Sequence, residues 1–225
     1  MSPRNRPPAP ADRGGGQRAP RIYVLGGPNG AGKSSVLGAA LATHRLTFFN
    51  PDEAARKILQ GHPEMTGEQA NGLAWRQGRR LLEQAIEGGL DFAFETTLGG
   101  VSISSLLELC LDGGGEVHVW YVCLATPEHH IRRVRARVAA GGHDIPESLI
   151  RARYHASHLN LIRLLPRLAD LWVYDNSPEA DPRRSRIRPD LILHVAGGRV
   201  EQVCALTAVP AWAKPIVQAA ISRIG

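Results

Sequence analysis

A glycine-rich octapeptide near the start of the chain, Gly27 to Ser34, carries residue types that bind phosphate. Its sequence, GPNGAGKS, fits the pattern G-x-x-x-x-G-K-[ST]. Glycines let the backbone turn tightly, so that successive N–H groups can point at one anion. Lys33 would bring a positive charge to the β- and γ-phosphates of a nucleotide, and the Ser34 hydroxyl is a group that can ligate Mg²⁺. The pattern therefore predicts a site for a nucleoside triphosphate.

The segments around this loop favour phosphate binding over an ordinary glycine-rich turn. The apolar run 22–25 precedes the loop, and residues 35–43 can form a helix whose positive dipole end would face the phosphates. Lysine is also rare in this chain, because only Lys33, Lys57 and Lys214 of the 27 basic residues are lysines. In a chain that otherwise uses arginine, a lysine at this position indicates a functional role.

Alternating strand-like and helix-like runs predict an α/β fold with a doubly wound parallel sheet of the P-loop NTPase type. We expect one domain over residues 21–225, closed by a last strand, a turn and a final helix near 210–224. Residues 1–20 are rich in Pro, Gly and Arg and are expected to form a disordered tail. The strand-like runs are 21–25, 46–49, 91–95, 117–124, 171–174 and 191–195.

Composition limits the classes of partner. Of the net charge of +6, +4 lies in residues 1–21, so a nucleic-acid partner is not indicated for the folded part. No apolar run reaches the ~18 residues of a membrane span, and no apolar signal segment is present, so we expect a cytoplasmic protein without a membrane partner.

The cysteines are widely spaced and indicate neither a disulfide framework nor a zinc site. Four histidines are expected on exposed faces, namely His129, His130, His155 and His158.

Ligands of such a sheet bind at the carboxyl ends of its strands, which selects three acidic residues. Asp52 follows the second strand at a helix start, with Asn50 as the expected N-cap, and it is our candidate for the base that a phosphotransferase needs. A simple partner of the helix dipole is the alternative for Asp52. Glu95, at the end of the third strand, could bind substrate hydroxyls or the water of Mg²⁺. Asp175, at the end of the fifth, mimics a Walker B carboxylate or belongs to a turn.

Two predicted helices after the fourth strand carry arginines. Arg133 and Arg137 are four residues apart and share a helical face, and Arg153 lies on the next helix, beyond the segment 141–144. This helix–loop–helix, over about 127–165, could close as a lid that screens a phosphate site from water. Arginine suits that role because its guanidinium is always charged and can grip two phosphate oxygens. A solvated charged face is the alternative.

These residues together resemble the zeta-toxin-like P-loop kinases. The resemblance runs in order over about residues 21–177, and the joint pattern is specific to that family. The toxins proper phosphorylate a sugar hydroxyl of UDP-N-acetylglucosamine. The matching segments are GPNGAGKS from Gly27, FNPDE from Phe49, FETT from Phe94, TPE from Thr126, GGHDIP from Gly141, RY from Arg153 and YDNS from Tyr174.

Carried over by position, the resemblance implies a small-molecule kinase with an arginine-bearing lid that uses ATP and Mg²⁺, with a protein antitoxin as a possible partner. The implied catalytic residues are Asp52 as the base and Lys33, Arg133, Arg137 and Arg153 as phosphate clamps. The implied substrate-binding residues are Asp52, Glu95 and Thr97, and the implied Mg²⁺ ligand is Ser34. The implied ATP-binding residues are Gly27, Pro28, Asn29, Gly30, Ala31, Gly32, Lys33, Ser34, Ser35 and Asn176.

The phosphate acceptor stays open at this point. A UDP-linked amino sugar or a related sugar nucleotide is the first hypothesis. The compact substrate region resembles a chromosomal zeta-like branch rather than the plasmid toxins, so a P-loop kinase for a different metabolite, such as a nucleoside or shikimate, is an alternative. A second class of alternative is a nucleotide-dependent switch or an ATPase that acts on a macromolecule. The Asn-Lys-x-Asp motif of GTPases is missing.

Overall fold

The computed structural model describes residues 18–33, 48–177 and 189–224. The described strands form one sheet of seven, in the order β2-β3-β1-β4-β5-β6-β7. These strands are β1 (Arg21–Gly26), β2 (Phe48–Phe49), β3 (Phe92–Thr96), β4 (Glu116–Cys123), β5 (Asp170–Asp175), β6 (Asp190–Ala196) and β7 (Arg199–Val203). The α-helices described are α1 (Pro51–Gly61), α2 (Gly67–Gly88), α3 (Val101–Asp112), α4 (Pro127–Ala139), α5 (Glu147–Leu164) and α6 (Lys214–Ile224).

The first five strands are parallel, which confirms the predicted doubly wound α/β fold. β1 lies between β3 and β4, with β2 beyond β3 and β5 beyond β4. The last two strands are antiparallel to their neighbours, and the sequence prediction missed β7. Gly197 and Gly198 have φ values of 54° and 72°, so they form a tight turn that returns the chain beside β6.

Local sequence signals set the starts of the two helices next to β2. The Asn50 side chain caps α1, because its Oδ1 accepts from the backbone N–H groups of Asp52 at 2.8 Å and Glu53 at 3.3 Å. Thr66 and Gln69 form a reciprocal capping box at the start of α2. The backbone of Asp52 is thereby fixed in the first turn of a capped helix.

Apolar side chains pack against both faces of the sheet. One face packs against α2, α3, α5 and α6, whose buried residues include Leu82, Leu107, Leu161 and Ile216. The other face is lined by Tyr23, Leu25, Ala93, Trp120 and Val122. A smaller cluster joins α4 to α5 and consists of Ile131, Val134, Ile145 and Ile150.

The two edge strands of the sheet are less buried than its central strands. β2 contributes two described residues at one edge. β7 forms the other edge and exposes Arg199, Glu201 and Gln202. The buried hydrogen-bonded centre is therefore β1, β4 and β5, next to the phosphate-binding loop.

Some predictions fall on residues that the structure does not describe. These are the tail up to residue 17, the helix 35–43 and most of the arginine-rich loop 178–189. Arg18 is described, and its guanidinium lies 3.1 Å from the carboxylate of Asp91, which also pairs with Arg21 at 2.9 Å. Among the helices of the described ranges, none has the length and apolar character of a membrane span.

Candidate active site

The predicted phosphate-binding loop leaves the carboxyl end of β1 and packs against β4. Gly27 has a φ of 139°, and a Cβ at this position would overlap the carbonyl oxygen of Val122, so only glycine fits. Asn176, at the end of β5, is buried and donates from Nδ2 to the Ala31 carbonyl at 2.8 Å. The structure thus places Asn176 directly against the loop.

Lys33 and Glu95 meet at the end of the loop. The Lys33 side chain is 7% exposed, and its Nζ donates to the Gly27 carbonyl at 2.9 Å and lies 3.3 Å from Glu95 Oε1. The other carboxylate oxygen of Glu95 accepts from Asn50 Nδ2 at 3.4 Å. Because β1 pairs with β3 and places Leu25 beside Glu95, the sheet itself sets this contact. A predicted catalytic residue and a predicted substrate residue are therefore neighbours.

Asp52 lies beside Arg137, which comes from the lid segment. Asp52 Oδ2 is 3.5 Å from Arg137 Nη1, and the Asp52 side chain is 61% exposed. Arg137 also donates from Nη2 to the His143 carbonyl at 3.0 Å, which ties it to the α4–α5 loop. Its Nε is buried and has no hydrogen-bond partner among the described residues. The geometry therefore brings the candidate base and one candidate phosphate clamp together.

Arg153 connects α5 to the loop. Its Nη1 donates to Asn29 Oδ1 at 2.9 Å, and its stem packs so closely on Gly99 that a Cβ there would lie 2.9 Å from Arg153 Cβ. Burial lowers the pKa of the Arg153 guanidinium, and the negative charge of Asp52 opposes that shift. Arg153 is thus coupled both to the loop and to Asp52.

Arg133 lies apart from the other two arginines. Its Nη2 donates to the Asn176 carbonyl at 2.6 Å, so it contacts the side of the loop next to β5. Arg137 and Arg153 line the cavity beside Asp52, whereas Arg133 does not. The three arginines that the sequence grouped into one clamp therefore divide into two sets.

A cavity of about 960 Å³ joins these groups to α2 and to the lid segment. Thr97 lies on its wall, where its hydroxyl accepts from the Gly99 N–H at 3.4 Å. The predicted site residues on the cavity wall are Asn29, Gly30, Lys33, Asp52, Glu95, Thr97, Arg137 and Arg153. Ser34 and Ser35 lie outside the described residues, so their predicted contacts with Mg²⁺ and ATP stay predictions.

His130 is buried, and the prediction of an exposed position is wrong. Its Nδ1 bonds to the Asn29 carbonyl at 2.7 Å, while its Nε2 accepts from the Leu124 N–H at 3.2 Å. These bonds use both nitrogens of a neutral imidazole, and burial lowers the pKa of His130 to about 4. A Cβ at Gly30 would also lie 2.7 Å from the His130 carbonyl oxygen. α4 therefore supports the loop in addition to carrying Arg133 and Arg137.

The other three histidines differ in exposure. His155 is exposed as predicted, whereas His129 and His158 are half-buried. His158 Nδ1 donates to the Tyr154 carbonyl at 2.6 Å, and burial lowers the pKa of this ring. The buried residues of α4 and of α5 each lie on one helical face, and His130 and His158 lie on or beside that face.

The hydrogen bonds of Asp175 favour the turn interpretation over the Walker B one. Its Oδ1 accepts from the Ser177 backbone N–H at 3.0 Å and from the Ser177 hydroxyl. The same hydroxyl accepts from the Ala125 N–H at 2.7 Å, which joins the turn to the end of β4. Asp175 therefore acts in the turn that holds Asn176 beneath the loop.

One wall of the cavity was missed by sequence reasoning altogether. Asn71 and Trp75 on α2 line it, and Asn71 Nδ2 lies 2.9 Å from His143 Nε2, so α2 touches the lid segment. No residue of α2 is among the site residues predicted from the sequence. The sequence does carry a signal for this wall. One face of α2 is polar at Asn71 and apolar at Leu82, and Gly78 between them packs on Phe49.

Comparison with known proteins agrees with this architecture. The family model described as zeta toxin matches residues 12–179. An uncharacterised protein of Haemophilus influenzae (strain ATCC 51907 / DSM 11121 / KW20 / Rd) is 30% identical over 128 residues, which is 57% of this chain and 88% of that protein.

Two kinds of solved structure share the fold. A chain of the AvrRxo1-ORF1:AvrRxo1-ORF2 complex with sulphate ions matches 89% of this chain with a TM-score of 0.59 and 16% identity. The same complex with ATP matches 90% with a TM-score of 0.58 and 17% identity, and this chain spans 63% and 64% of the two matched chains. A chain from the study of the PezAT chromosomal toxin–antitoxin system of Streptococcus pneumoniae matches 94% of this chain and 88% of its own length, with a TM-score of 0.53 and 16% identity. The chain therefore belongs to the zeta toxin family and has the P-loop kinase fold.

Proposed function

We propose that this chain is an ATP-dependent phosphotransferase that phosphorylates a hydroxyl of a small anionic substrate, with UDP-N-acetylglucosamine or a related sugar nucleotide as the first candidate. The carrying observation is the convergence of Lys33, Asp52 and Arg153 on one cavity. Lys33 comes from the phosphate-binding loop, and Asp52 comes from the next helix. A module that only binds a nucleotide would not need the carboxylate of Asp52 and the guanidinium of Arg153 in the same cavity as its loop.

In the proposed reaction the acceptor oxygen forms a bond to the γ-phosphorus of ATP. The bond between that phosphorus and the β,γ-bridging oxygen breaks, and ADP leaves with its electron pair. The proton of the acceptor hydroxyl passes to the Asp52 carboxylate. The exposed position of Asp52 on a capped helix suits this role, because its oxygens can reach a bound molecule in the cavity.

The cationic groups would stabilise charge on the transferring phosphoryl group. Lys33 is buried at the loop, and the Arg137 and Arg153 guanidinium groups lie on the side of Asp52. Arg137 offers a buried Nε without a partner in the described part of the chain. Fixed donors in a site that excludes water stabilise developing charge more strongly than solvent does.

The residues around the loop fit a bound Mg²⁺ ion. Glu95 supplies a carboxylate on the cavity wall beside the loop, and oxygen is the ligand type that Mg²⁺ prefers. No group of three or more His, Cys, Asp or Glu side chains that could hold a metal occurs within the described residues. Mg²⁺ in nucleotide sites is usually held by nucleotide phosphates, water and one or two carboxylates. When bound, the ion would offset the negative charge of the phosphates.

The decisive experiment separates ATP binding from transfer. Asp52→Asn removes the proposed base and keeps the size of the side chain, so we expect unchanged ATP affinity and a 10²- to 10⁴-fold fall in the transfer rate. Transfer is measured by mass spectrometry after incubation with ATP, Mg²⁺ and a metabolite extract. Glu53→Gln, at the exposed neighbouring position, is the control and should retain activity. Transfer at the normal rate by Asp52→Asn would disprove the assignment of the base.

A protein antitoxin is the partner that the family supports, because the similar PezAT structure comes from a toxin–antitoxin system. We therefore expect expression of the chain to arrest growth, and expression of Asp52→Asn to be tolerated. Growth measurements after induction test this. ATP turnover that nucleic acid stimulates, and small molecules do not, would instead favour an ATPase acting on a macromolecule.

A further inference from the structure

Asn71 and His143 join α2 to the loop between α4 and α5. Asn71 lies within the first two turns of α2, and its Nδ2 is 2.9 Å from His143 Nε2. The same Nδ2 donates to the Gly67 carbonyl at 2.7 Å. Both side chains line the cavity, although the reaction proposed above gives neither of them a role.

The hydrogen-bonding roles of this pair follow from the two contacts of the amide. A carbonyl oxygen only accepts, so the Asn71 atom beside Gly67 is the amide nitrogen, and one of its two hydrogens is used there. The second hydrogen is available to His143 Nε2, which therefore accepts it. A Cβ on Gly67 would lie 3.6 Å from His143 Nδ1, so the imidazole rests on the first turn of α2. The ring is therefore held by a hydrogen bond and by van der Waals contact.

His143 also holds Arg137, through its main chain. Its carbonyl accepts from Arg137 Nη2 at 3.0 Å, and Arg137 Nη1 lies 3.5 Å from Asp52 Oδ2. One residue thus connects α2 to the arginine beside the candidate base. A shift of the His143 backbone would move the oxygen that orients this guanidinium.

The chain reverses directly after α4 in a tight turn that packs on the Arg137 stem. Gly141 has a φ of 86°, and its N–H donates to the Val138 carbonyl at 2.9 Å. The N–H of Gly142 donates to the Arg137 carbonyl at 2.9 Å. A Cβ on Gly142 would lie 2.6 Å from Arg137 Cγ. A displacement of this loop would therefore displace the Arg137 side chain as well.

We propose that Asn71 and His143 are positioning residues, which hold the α4–α5 loop against α2 and thereby fix the Arg137 guanidinium in the cavity. The inference rests on the proposed function, because it gives the pair an effect on phosphoryl transfer. Neither side chain touches the transferring group, and both act through Arg137. A displacement of a catalytic group by about 1 Å can lower a rate about 100-fold, so the loss of one hydrogen bond can be felt in the chemical step.

Transfer kinetics with ATP, Mg²⁺ and the acceptor found in the metabolite extract test this action through Arg137. Asn71→Leu removes the donor and keeps a side chain of similar size, so we expect kcat to fall about 10-fold with ATP affinity unchanged. In an Arg137→Gln background the same substitution should lower kcat less than about 2-fold, because the group that it positions is already lost. An equal fall in both backgrounds would overturn the proposal.

Two variants of His143 separate the hydrogen bond from the shape of the side chain. Leucine cannot accept the Asn71 hydrogen, so His143→Leu should reproduce the 10-fold fall. His143→Gln places an amide oxygen near the position of Nε2 and should keep at least about half of the activity. Gln77→Leu, at an exposed position of α2 outside the cavity, should be fully active. Equal activity of His143→Leu and His143→Gln would overturn the role of the hydrogen bond.

Amide hydrogen exchange tests the hold on the loop without any acceptor. The amides of residues 141–145 should exchange about 5-fold faster in Asn71→Leu than in the unmodified chain, and at the normal rate in Gln77→Leu. Identical exchange in all three chains would overturn the proposal whatever the transfer assay shows. Faster exchange in Asn71→Leu, together with absence of transfer to any metabolite, would support the hold on the loop and refute the proposed function itself.

Discussion

The two halves of the candidate site are built from different parts of the molecule. On the loop side, Lys33, His130 and Asn176 are buried, and their hydrogen bonds join the loop to β4, β5 and α4. On the acceptor side, Asp52 and Trp75 are exposed and stand on the surfaces of α1 and α2. The loop therefore takes its shape from the core of the sheet, whereas the acceptor side is made of helix surface that can vary without disturbing the core.

Substitution of a glycine in the loop should have the largest effect, and it tests the difference between the loop side and the acceptor side most directly. Gly27→Ala would place a Cβ onto the Val122 carbonyl at a backbone conformation that favours glycine, so we expect a loss of about 4 kcal/mol in the free energy of unfolding and no ATP binding. Urea denaturation and ATP titration measure both effects.

Gly61→Ala is the matched control for Gly27→Ala on the acceptor side. Gly61 ends α1, and a Cβ there meets no atom within 4 Å, so the free energy of unfolding should change by less than about 1 kcal/mol. Equal stability of the two variants would contradict the idea that only the loop side is locked into the core.

Arg153 spans both halves, and its replacement should have the next largest effect. Arg153→Gln loses the bond to Asn29 and the charge facing Asp52, so we expect kcat/KM to fall about 100-fold, or about 2.7 kcal/mol, with ATP affinity changed less. Steady-state kinetics with the identified acceptor measure this change. Arg151 is also on α5, and Arg151→Gln removes only its exposed ion pair with Glu128 of α4, so this variant should keep full activity. A similar loss in both variants would show that α5 acts only through its fold.

The smallest expected effect is a pH dependence that belongs to the loop side. Burial lowers the pKa of His130 to about 4, and the nearby charges of Lys33 and Arg133 act in the same direction. Between pH 6.5 and 4 the unfolded chain therefore binds more protons than the folded chain, so stability falls as the pH falls. From pH 7.5 to pH 5 this residue should account for a loss of about 2 kcal/mol.

His130→Gln tests that loss. Glutamine at position 130 does not titrate. The free energy of unfolding of the variant should therefore fall by about 2 kcal/mol less than that of the unmodified chain over the same pH range. His158, whose pKa burial also lowers, is present in both chains and contributes equally. His155→Gln, at an exposed position, should behave as the unmodified chain does. Identical pH profiles for all three chains would rule out a buried neutral His130.

Sequence reasoning succeeded where the signal is local. The loop pattern and the Asn50 cap depend on residues within a few positions of each other, and the parallel strands follow from runs of apolar residues. Sequence reasoning failed where packing against a second element determines whether a strand pairs or a side chain is buried. β7 pairs only because Gly197 and Gly198 turn the chain, and His130 is buried because α4 packs on the loop.

The acceptor side could not be assembled from the sequence for the same reason. Arg133 and Arg137 share a helical face by spacing, yet one contacts Asn176 and the other lies near Asp52. Trp75 lies on the same helical face as buried residues of α2, yet it is 44% exposed and lines the cavity. Spacing along one helix fixes which residues are neighbours, but the packing of other elements fixes what they face.

The composition of the sheet edges bears on how the molecule behaves at high concentration. An open strand can pair with the strand of another molecule and start aggregation, and nature suppresses this with short or charged edges. Here the edge strand β7 exposes Arg199, Glu201 and Gln202. The antiparallel hairpin β6–β7 thus places a strand with exposed polar side chains outside the apolar strand β5, which disfavours pairing with another molecule at this edge of the sheet.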